Sequence, residues 1–278
     1  MLFSSLEFIF RFLPLFLICY FVMPGRGRNM VLFLGSLIFY AIGEPVYVLL
    51  MLGSIVVNYF AARRIAAAKS IGKAGRQRTW LVIALVFDLG ALFLFKYFDF
   101  FAENVNLLLH QDLVPLLHLT LPLGISFYTF QMISYVADVS MGNISDPGTF
   151  LEFATYLSMF PQLIAGPIVQ YREVSAQLRG RKVTLPMFER GLEIFCLGLG
   201  AKVLLANKIS IFWNQVQGIG FSSISTPVAW MGAWAFSFQI YFDFWGYSLM
   251  AMGLGTMMGF RIPRNFSVPY LSRSATEF

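Results

Sequence analysis

Charge is what this chain has least of. Asp, Glu, Lys and Arg make up 12% of its 278 residues, about half their share in a soluble globular chain. Hydrophobic residues reach 58% and aromatics 17%, with a mean hydropathy of +0.71. That much apolar surface cannot be hidden from water by one chain, so the composition excludes a soluble domain and implies a polytopic membrane protein. Cysteine and histidine are scarce as well, two of each. Cys19 and Cys196 lie singly within apolar runs, without the spacing of a metal site, and read as small lipid- or core-facing residues. His110 and His118 are eight apart with Pro115 between them, so they share no regular helical face. Solvated interfacial residues are the simpler reading, and no metal is expected. A cleavable signal is also missing: the first apolar run, Phe8 to Met23, is followed by Pro24-Gly25-Arg26 rather than a small-residue cleavage site, and reads as a retained span. No internal repeat is present, which weakens a secondary-transporter reading. The net charge of +6 is carried by basic residues clustered in short loops between apolar runs. That is the positive-inside pattern, not a face for nucleic acid.

The runs predict an all-α bundle of transmembrane helices forming a single integral membrane domain over residues 1–278. Spans are expected at Phe8–Met23, Met30–Ile42, Val46–Ala62 and Trp80–Phe101. Arg26 and Arg28 come after the first span, and Arg63, Arg64, Lys69, Lys73, Arg76 and Arg78 after the third. Two spans separate these loops, so both fall on one side, the cytoplasm. The N-terminus and the Gly43-Glu44-Pro45 turn then lie outside. The loop after span four has Glu103 and Asp112 but no Lys or Arg, which suits the outer side. Phe150 to Val169 is apolar but interrupted by Pro161 and Gly166-Pro167, and broken helices at membrane depth occur only inside protein or beside a cavity. The basic cluster Arg172, Arg179, Arg181 and Lys182 falls on the cytoplasmic side only if Phe150–Pro167 is re-entrant. A further span covers Leu192–Ala206, flanked by Arg190, Lys202 and Lys208, with Gly198 and Gly200 permitting close approach or a bend. Val228–Phe260 is too long for one straight span and must tilt, bend or divide.

Polar side chains inside these runs are the candidates for function, because each is costly in hydrocarbon unless it meets a partner or a polar cavity. Asp88 and Lys96 lie near one face of span four; Lys96 can snorkel, whereas Asp88 should face other helices. Leu121–Val139 carries Gln131, Ser134 and Asp138 on a possible stripe, for which interhelical hydrogen bonding and lining of a channel are both open. Gln162 sits in the interrupted segment. Asp243 lies in an aromatic, Gly-spaced helix, with Gln239, Tyr247 and Ser248 four or five residues away and able to line the same wall. The turn Arg261–Asn265 comes next, and the polar tail to Phe278 has no helix stop of its own.

Five blocks in order, FSSLEFIFRFLP, KYFDFF, LPLGISFYTFQMISYVADV, MFPQLIAGPIVQY and YFDFWGYSLMAMGLGTMMGFRIPRNFSVPYLSRSATEF, resemble the membrane-bound O-acyltransferase family, and within it the alginate-type branch that acetylates bacterial polysaccharides. The resemblance implies a multi-pass enzyme of the cell inner membrane with a tunnel through it. A thioester donor, acetyl-CoA or an acyl carrier, is reached from the cytoplasm, with no bound cofactor. The acceptor is a polysaccharide hydroxyl outside, and periplasmic or extracellular acetyltransferase proteins are the implied partners. The family's histidine belongs to a Trp-Arg-Arg-Trp-His block expected just after Phe278, so no catalytic residue is assigned within this chain and the sequence is expected to be the N-terminal part of a longer protein or of a disrupted frame. The tunnel or substrate-lining candidates are Asp243, Gln239, Tyr247, Ser248, Gln131 and Gln162. Where the alginate-type block has Asp after Tyr-Ser, this chain has Leu249, as in the branch that transfers D-alanine to teichoic acid from a carrier protein. That branch and a non-catalytic channel or export component are the alternatives.

Overall fold

The computed structural model describes residues 2–25, 27–163, 166, 169–220, 223–266, 269–274 and 277. Regular structure among them is helical. We number the helices α1 (Phe8–Val22), α2 (Arg28–Gly43), α3 (Tyr47–Ser70), α4 (Ala74–Leu109), α5 (Ile125–Met141), α6 (Phe150–Ser158), α7 (Phe160–Leu163), α8 (Tyr171–Arg179), α9 (Leu185–Ile219) and α10 (Thr226–Met257). Helices α3, α4 and α9 are long and apolar enough to cross a membrane, and α1 and α2 are shorter apolar helices. The chain is a multi-pass membrane protein of the all-α class.

Hydropathy places the helices well and their ends poorly. The expected basic loop Arg63–Arg78 is mostly helix: α3 continues to Ser70 and α4 starts at Ala74, leaving a turn built on Gly72 at φ +68°. The run Ile65–Ala68 includes three alanines, the strongest helix former, so α3 carries its arginines past the apolar region. Of three short π-helical turns, Phe8–Phe12 begins α1, while Phe93–Tyr97 and Ala201–Ala206 interrupt α4 and α9. The region Val228–Phe260 does not divide. It is the single 32-residue helix α10, about 48 Å long, and it is not among the three helices apolar enough along their length to cross a membrane.

The interruption after Phe150 is real. Helix α6 starts at a capping box in which Thr149 Oγ1 accepts from Glu152 N–H while the Glu152 carboxylate accepts from Thr149 N–H. It ends after nine residues at Met159, φ −50° and ψ 107°, too short to span a bilayer. Phe160 restarts the chain as α7 and donates its N–H to Ser36 Oγ at 3.1 Å, so an amide freed at the break is satisfied inside the protein. The rest of the expected re-entrant course falls partly on Ile164, Ala165, Pro167 and Ile168, which lie outside the described residues.

Contacts group the chain into two compact units. One comprises Met1–Ile18, Ala165–Val169 and Gly180–Phe278, the other Cys19–Ile164 and Gln170–Arg179. In the second unit α3, α4 and α5 pack on one another, and α6 packs on α2 and α8. At the end of α8, Arg179 pairs with Asp146 at 2.7 Å and with Glu152 at 3.5 Å. Burial disfavours the Arg179 charge more than any one neighbour favours it, but Asp146, Glu152 and Tyr171 together outweigh it and hold the guanidinium above its ordinary value.

In the first unit α9 packs along α10 through paired glycines. A Cβ on Gly191 would come within 2.7 Å of the Gly253 carbonyl oxygen, and one on Gly246 equally close to that of Gly198. Both pairs are spaced by seven residues and run antiparallel, so backbone meets backbone along one seam. Past α10, Arg181 Nε donates to the Met258 carbonyl at 3.2 Å and its guanidinium lies 4.3 Å from the Phe260 ring centroid. That contact pins the turn on which Gly259 takes φ +86°.

Candidate functional site

The glycine seam brings two charges together at mid-helix. Lys202 lies seventeen residues from either end of α9, in the π turn Ala201–Ala206, and Asp243 is close to the middle of α10. Lys202 Nζ donates to Asp243 Oδ1 in an ion pair. The lysine side chain is 14% exposed and the aspartate 49%. Gly246, one turn past Asp243, makes the meeting possible: a Cβ there would lie 3.0 Å from Lys202 N and 3.3 Å from Lys202 Cβ. A π turn adds a residue to one helical turn and re-aims the side chains beyond it, and such turns recur at functional sites. A half-exposed carboxylate in so aromatic and apolar a helix is costly against bare hydrocarbon, and protein, water or a polar ligand on its open side would relieve that cost.

The flanking residues extend the polar face. Gln239, Asp243 and Tyr247 recur every four residues and form one stripe on α10. Gln239 Oε1 and the Tyr247 hydroxyl are buried without a hydrogen-bond partner, while the Tyr247 ring stacks on Phe3 at 4.6 Å. Each of these atoms can take a hydrogen bond from a ligand or water. Ser248 turns to a neighbouring cavity of about 270 Å³, lined also by Arg190, Tyr241, Trp245, Arg264 and Asn265. Asn265 Nδ2 is another buried donor without a partner. The residues after α10 fold back on it, with Phe266 stacked on Phe244 at 5.7 Å and the Tyr270 hydroxyl donating to the Ser237 carbonyl at 2.6 Å.

Four of the six candidates therefore share α10 in the first unit, three of them on one stripe. The other two belong to the second unit: Gln131 is buried on α5 and Gln162 on α7. Gln162 Nε2 donates to the Tyr156 carbonyl, and its Oε1 has no partner. At the end of α5, Asp138 accepts from Asn143 Nδ2 at 2.8 Å, where Gly142 takes φ +95°. The histidines shape backbone: His110 ends α4 at φ 51°, and His118, at φ 49°, donates its N–H to Asp99 Oδ2 at 2.9 Å. Among the described residues no group of three or more His, Cys, Asp and Glu is placed to hold a metal ion.

Lys202 is the functional candidate that sequence reasoning missed, reading it as a flanking charge. The signal was available: Lys202 stands one helical turn after Gly198, on the face that the small residues mark as a helix contact.

Comparison with known proteins bears on this geometry. The profile of the membrane-bound O-acyltransferase family matches residues 91–278, which include both partners of the ion pair. The probable alginate O-acetylase AlgI of Pseudomonas syringae pv. tomato is 40% identical over all of this chain and 54% of its own length. That of Pseudomonas aeruginosa is 40% identical over all of this chain and 53% of its own. The peptidoglycan O-acetyltransferase of Helicobacter pylori is 36% identical over all of this chain and 58% of its own. The chain thus spans little more than half the length of these relatives. With more than half of its residues matched by the family's profile, the chain belongs to the membrane-bound O-acyltransferase family.

Proposed function

We propose that this chain carries membrane-embedded machinery of an O-acetyltransferase, which moves acetyl groups from a cytoplasmic thioester donor to hydroxyls of an exported, alginate-type polysaccharide. The observation that supports this most is similarity, along the whole of this chain, to proteins named for alginate O-acetylation. In the reaction the acceptor oxygen attacks the thioester carbonyl, a C–O bond forms, the C–S bond breaks, the hydroxyl proton goes to a base and the leaving thiolate takes a proton. On this reading the stripe Gln239–Asp243–Tyr247 is wall of the route by which substrates meet. Asp243 orients a base or holds an acceptor hydroxyl, and Lys202 holds the Asp243 carboxylate in place. Ser248, Gln131 and Gln162 are further lining residues. The donor is acetyl-CoA or an acyl carrier, and partner acetyltransferases outside the inner membrane receive or extend the product.

Deleting the gene and measuring ester-linked acetate on the exported polymer tests the reading. Loss of acetate with polymer export intact supports it. Unchanged acetate overturns it, and lost export with normal acetylation of the remaining polymer favours an export component instead. A second acceptor has its own support, since the Helicobacter pylori relative is named for peptidoglycan; loss of acetate from the cell wall alone would select it. Leu249 keeps D-alanyl transfer in view, and alanine ester on teichoic acid is the corresponding readout.

A further inference from the structure

The second unit holds another carboxylate within a membrane-spanning helix, one to which the proposed acyl transfer assigns no role. Asp88 on α4 is 2% exposed, Asn58 on α3 0% and Tyr128 on α5 2%. Asn58 Nδ2 donates to Asp88 Oδ1 at 2.7 Å and also reaches the Ser54 carbonyl at 3.1 Å and Met132 Sδ at 3.2 Å. Tyr128 lies one turn before Met132 and so faces the same seam of α3, α4 and α5. Three atoms of this cluster are buried without a partner: Asp88 Oδ2, Asn58 Oδ1 and the Tyr128 hydroxyl. Among the described residues no Lys, Arg or His forms an ion pair with Asp88. Lys96, two turns along α4, reaches instead toward Ser126 Oγ at 3.5 Å.

Counting donors and acceptors decides what the cluster holds. An ionised carboxylate only accepts, as does the Asn58 carbonyl oxygen. Two unfilled acceptors would then share one donor, the Tyr128 hydroxyl, and a buried charge would have no countercharge. One proton on Asp88 Oδ2 removes both difficulties, because it neutralises the carboxyl and adds the missing donor. Acid and amide can then bond reciprocally, Asn58 Nδ2–H to Asp88 Oδ1 and Asp88 Oδ2–H to Asn58 Oδ1, with Tyr128 left to donate to a remaining lone pair. A hard divalent cation fits less well, since such ions take six or more oxygen ligands and the three side chains offer few.

We propose that Asp88 is a proton-binding site: its carboxyl is neutral in the membrane, and the bound proton joins α4 to Asn58 of α3 beside Tyr128 of α5. The polar and titratable groups facing it are Ser54 and Asn58 from α3 and Tyr128 from α5. Tyr40 of α2 is directed elsewhere, its hydroxyl donating to the Leu123 carbonyl at 3.0 Å. The proposal is independent of the acetyl-transfer reading.

Infrared spectroscopy of the complete gene product in lipid at neutral pH tests it, alongside thermal unfolding. A protonated-carboxyl band is expected in the wild type and should vanish in Asp88→Asn. That variant keeps a neutral group able to donate and accept, so its unfolding midpoint should match the wild type. Asp88→Leu leaves the Asn58 side-chain carbonyl without its proposed donor and should lower the midpoint by roughly 5 °C. If Asp88→Leu does not fold, the band in the wild type and in Asp88→Asn still decides. Absence of the band, or Asp88→Asn falling as far as Asp88→Leu, would overturn the proposal. So would a midpoint raised by added metal cation in the wild type but not in Asp88→Asn.

Discussion

The ion pair between Lys202 and Asp243 is asymmetric, and the asymmetry is testable. Lys202 is the more enclosed partner, so removing its countercharge costs more than removing the countercharge of half-exposed Asp243. Breaking a fully buried pair costs about 3–5 kcal/mol, and the exposure here reduces that to roughly 1–3 kcal/mol for Asp243→Asn and less for Lys202→Met. Thermal unfolding in detergent should rank the two variants in that order. Combining Lys202→Met with Asp243→Leu should recover stability, since no unpaired charge remains, yet leave acetyl transfer impaired. Recovery of both would mean that the pair only holds helices together. Asp243 was legible from the sequence because a carboxylate in an aromatic, apolar helix is conspicuous. Lys202 was not, because a lysine among basic neighbours looks like an interfacial charge until the opposite helix is seen.

Between helices, the glycine seam makes predictions that hydropathy cannot. Gly198→Ala and Gly246→Ala each put a methyl group against backbone atoms 2.5–2.7 Å away, so each should destabilise by about 1–3 kcal/mol, as overpacking does. Gly200→Ala, with nothing within 4 Å of the new Cβ, should leave the melting temperature unchanged or raise it slightly, alanine being the better helix former. Equal effects at Gly198 and Gly200 would contradict the seam. Both glycines stood out in the sequence as places where helices could approach, but only the structure tells which one does. The interruption near Met159 was readable from Pro161, although the break falls two residues earlier, where Ser36 takes up the freed amide. The π turns left no trace in the hydropathy pattern, because one extra residue in a turn does not change how apolar a segment is.

For the whole molecule, the number of long apolar helices and the sidedness of their loops are set by where charge is and is not. On the positive-inside reading, cysteine introduced at Gln111 should react with a membrane-impermeant reagent in intact cells, and cysteine at Lys73 only after permeabilisation, in a background without Cys19 and Cys196. Labelling at Lys73 in intact cells would invert the topology. Helix ends were the least legible part, since α3 and α4 run past the apolar region on propensity that a hydropathy reading does not weigh.

Membership of the acyltransferase family makes the polar face of α10 the place to ask what the chain does. The most direct measurement is ester-linked acetate on exported polysaccharide after the deleted gene is restored as wild type, as Asp243→Asn or as Lys202→Met, with membrane levels of each protein matched. The account predicts that wild type restores acetate and that each variant falls at least about tenfold short, roughly 1.4 kcal/mol or more in the transfer step. Full acetylation by both variants would show that the ion pair takes no part in the reaction, and no restoration by the wild type would remove acetyl transfer itself.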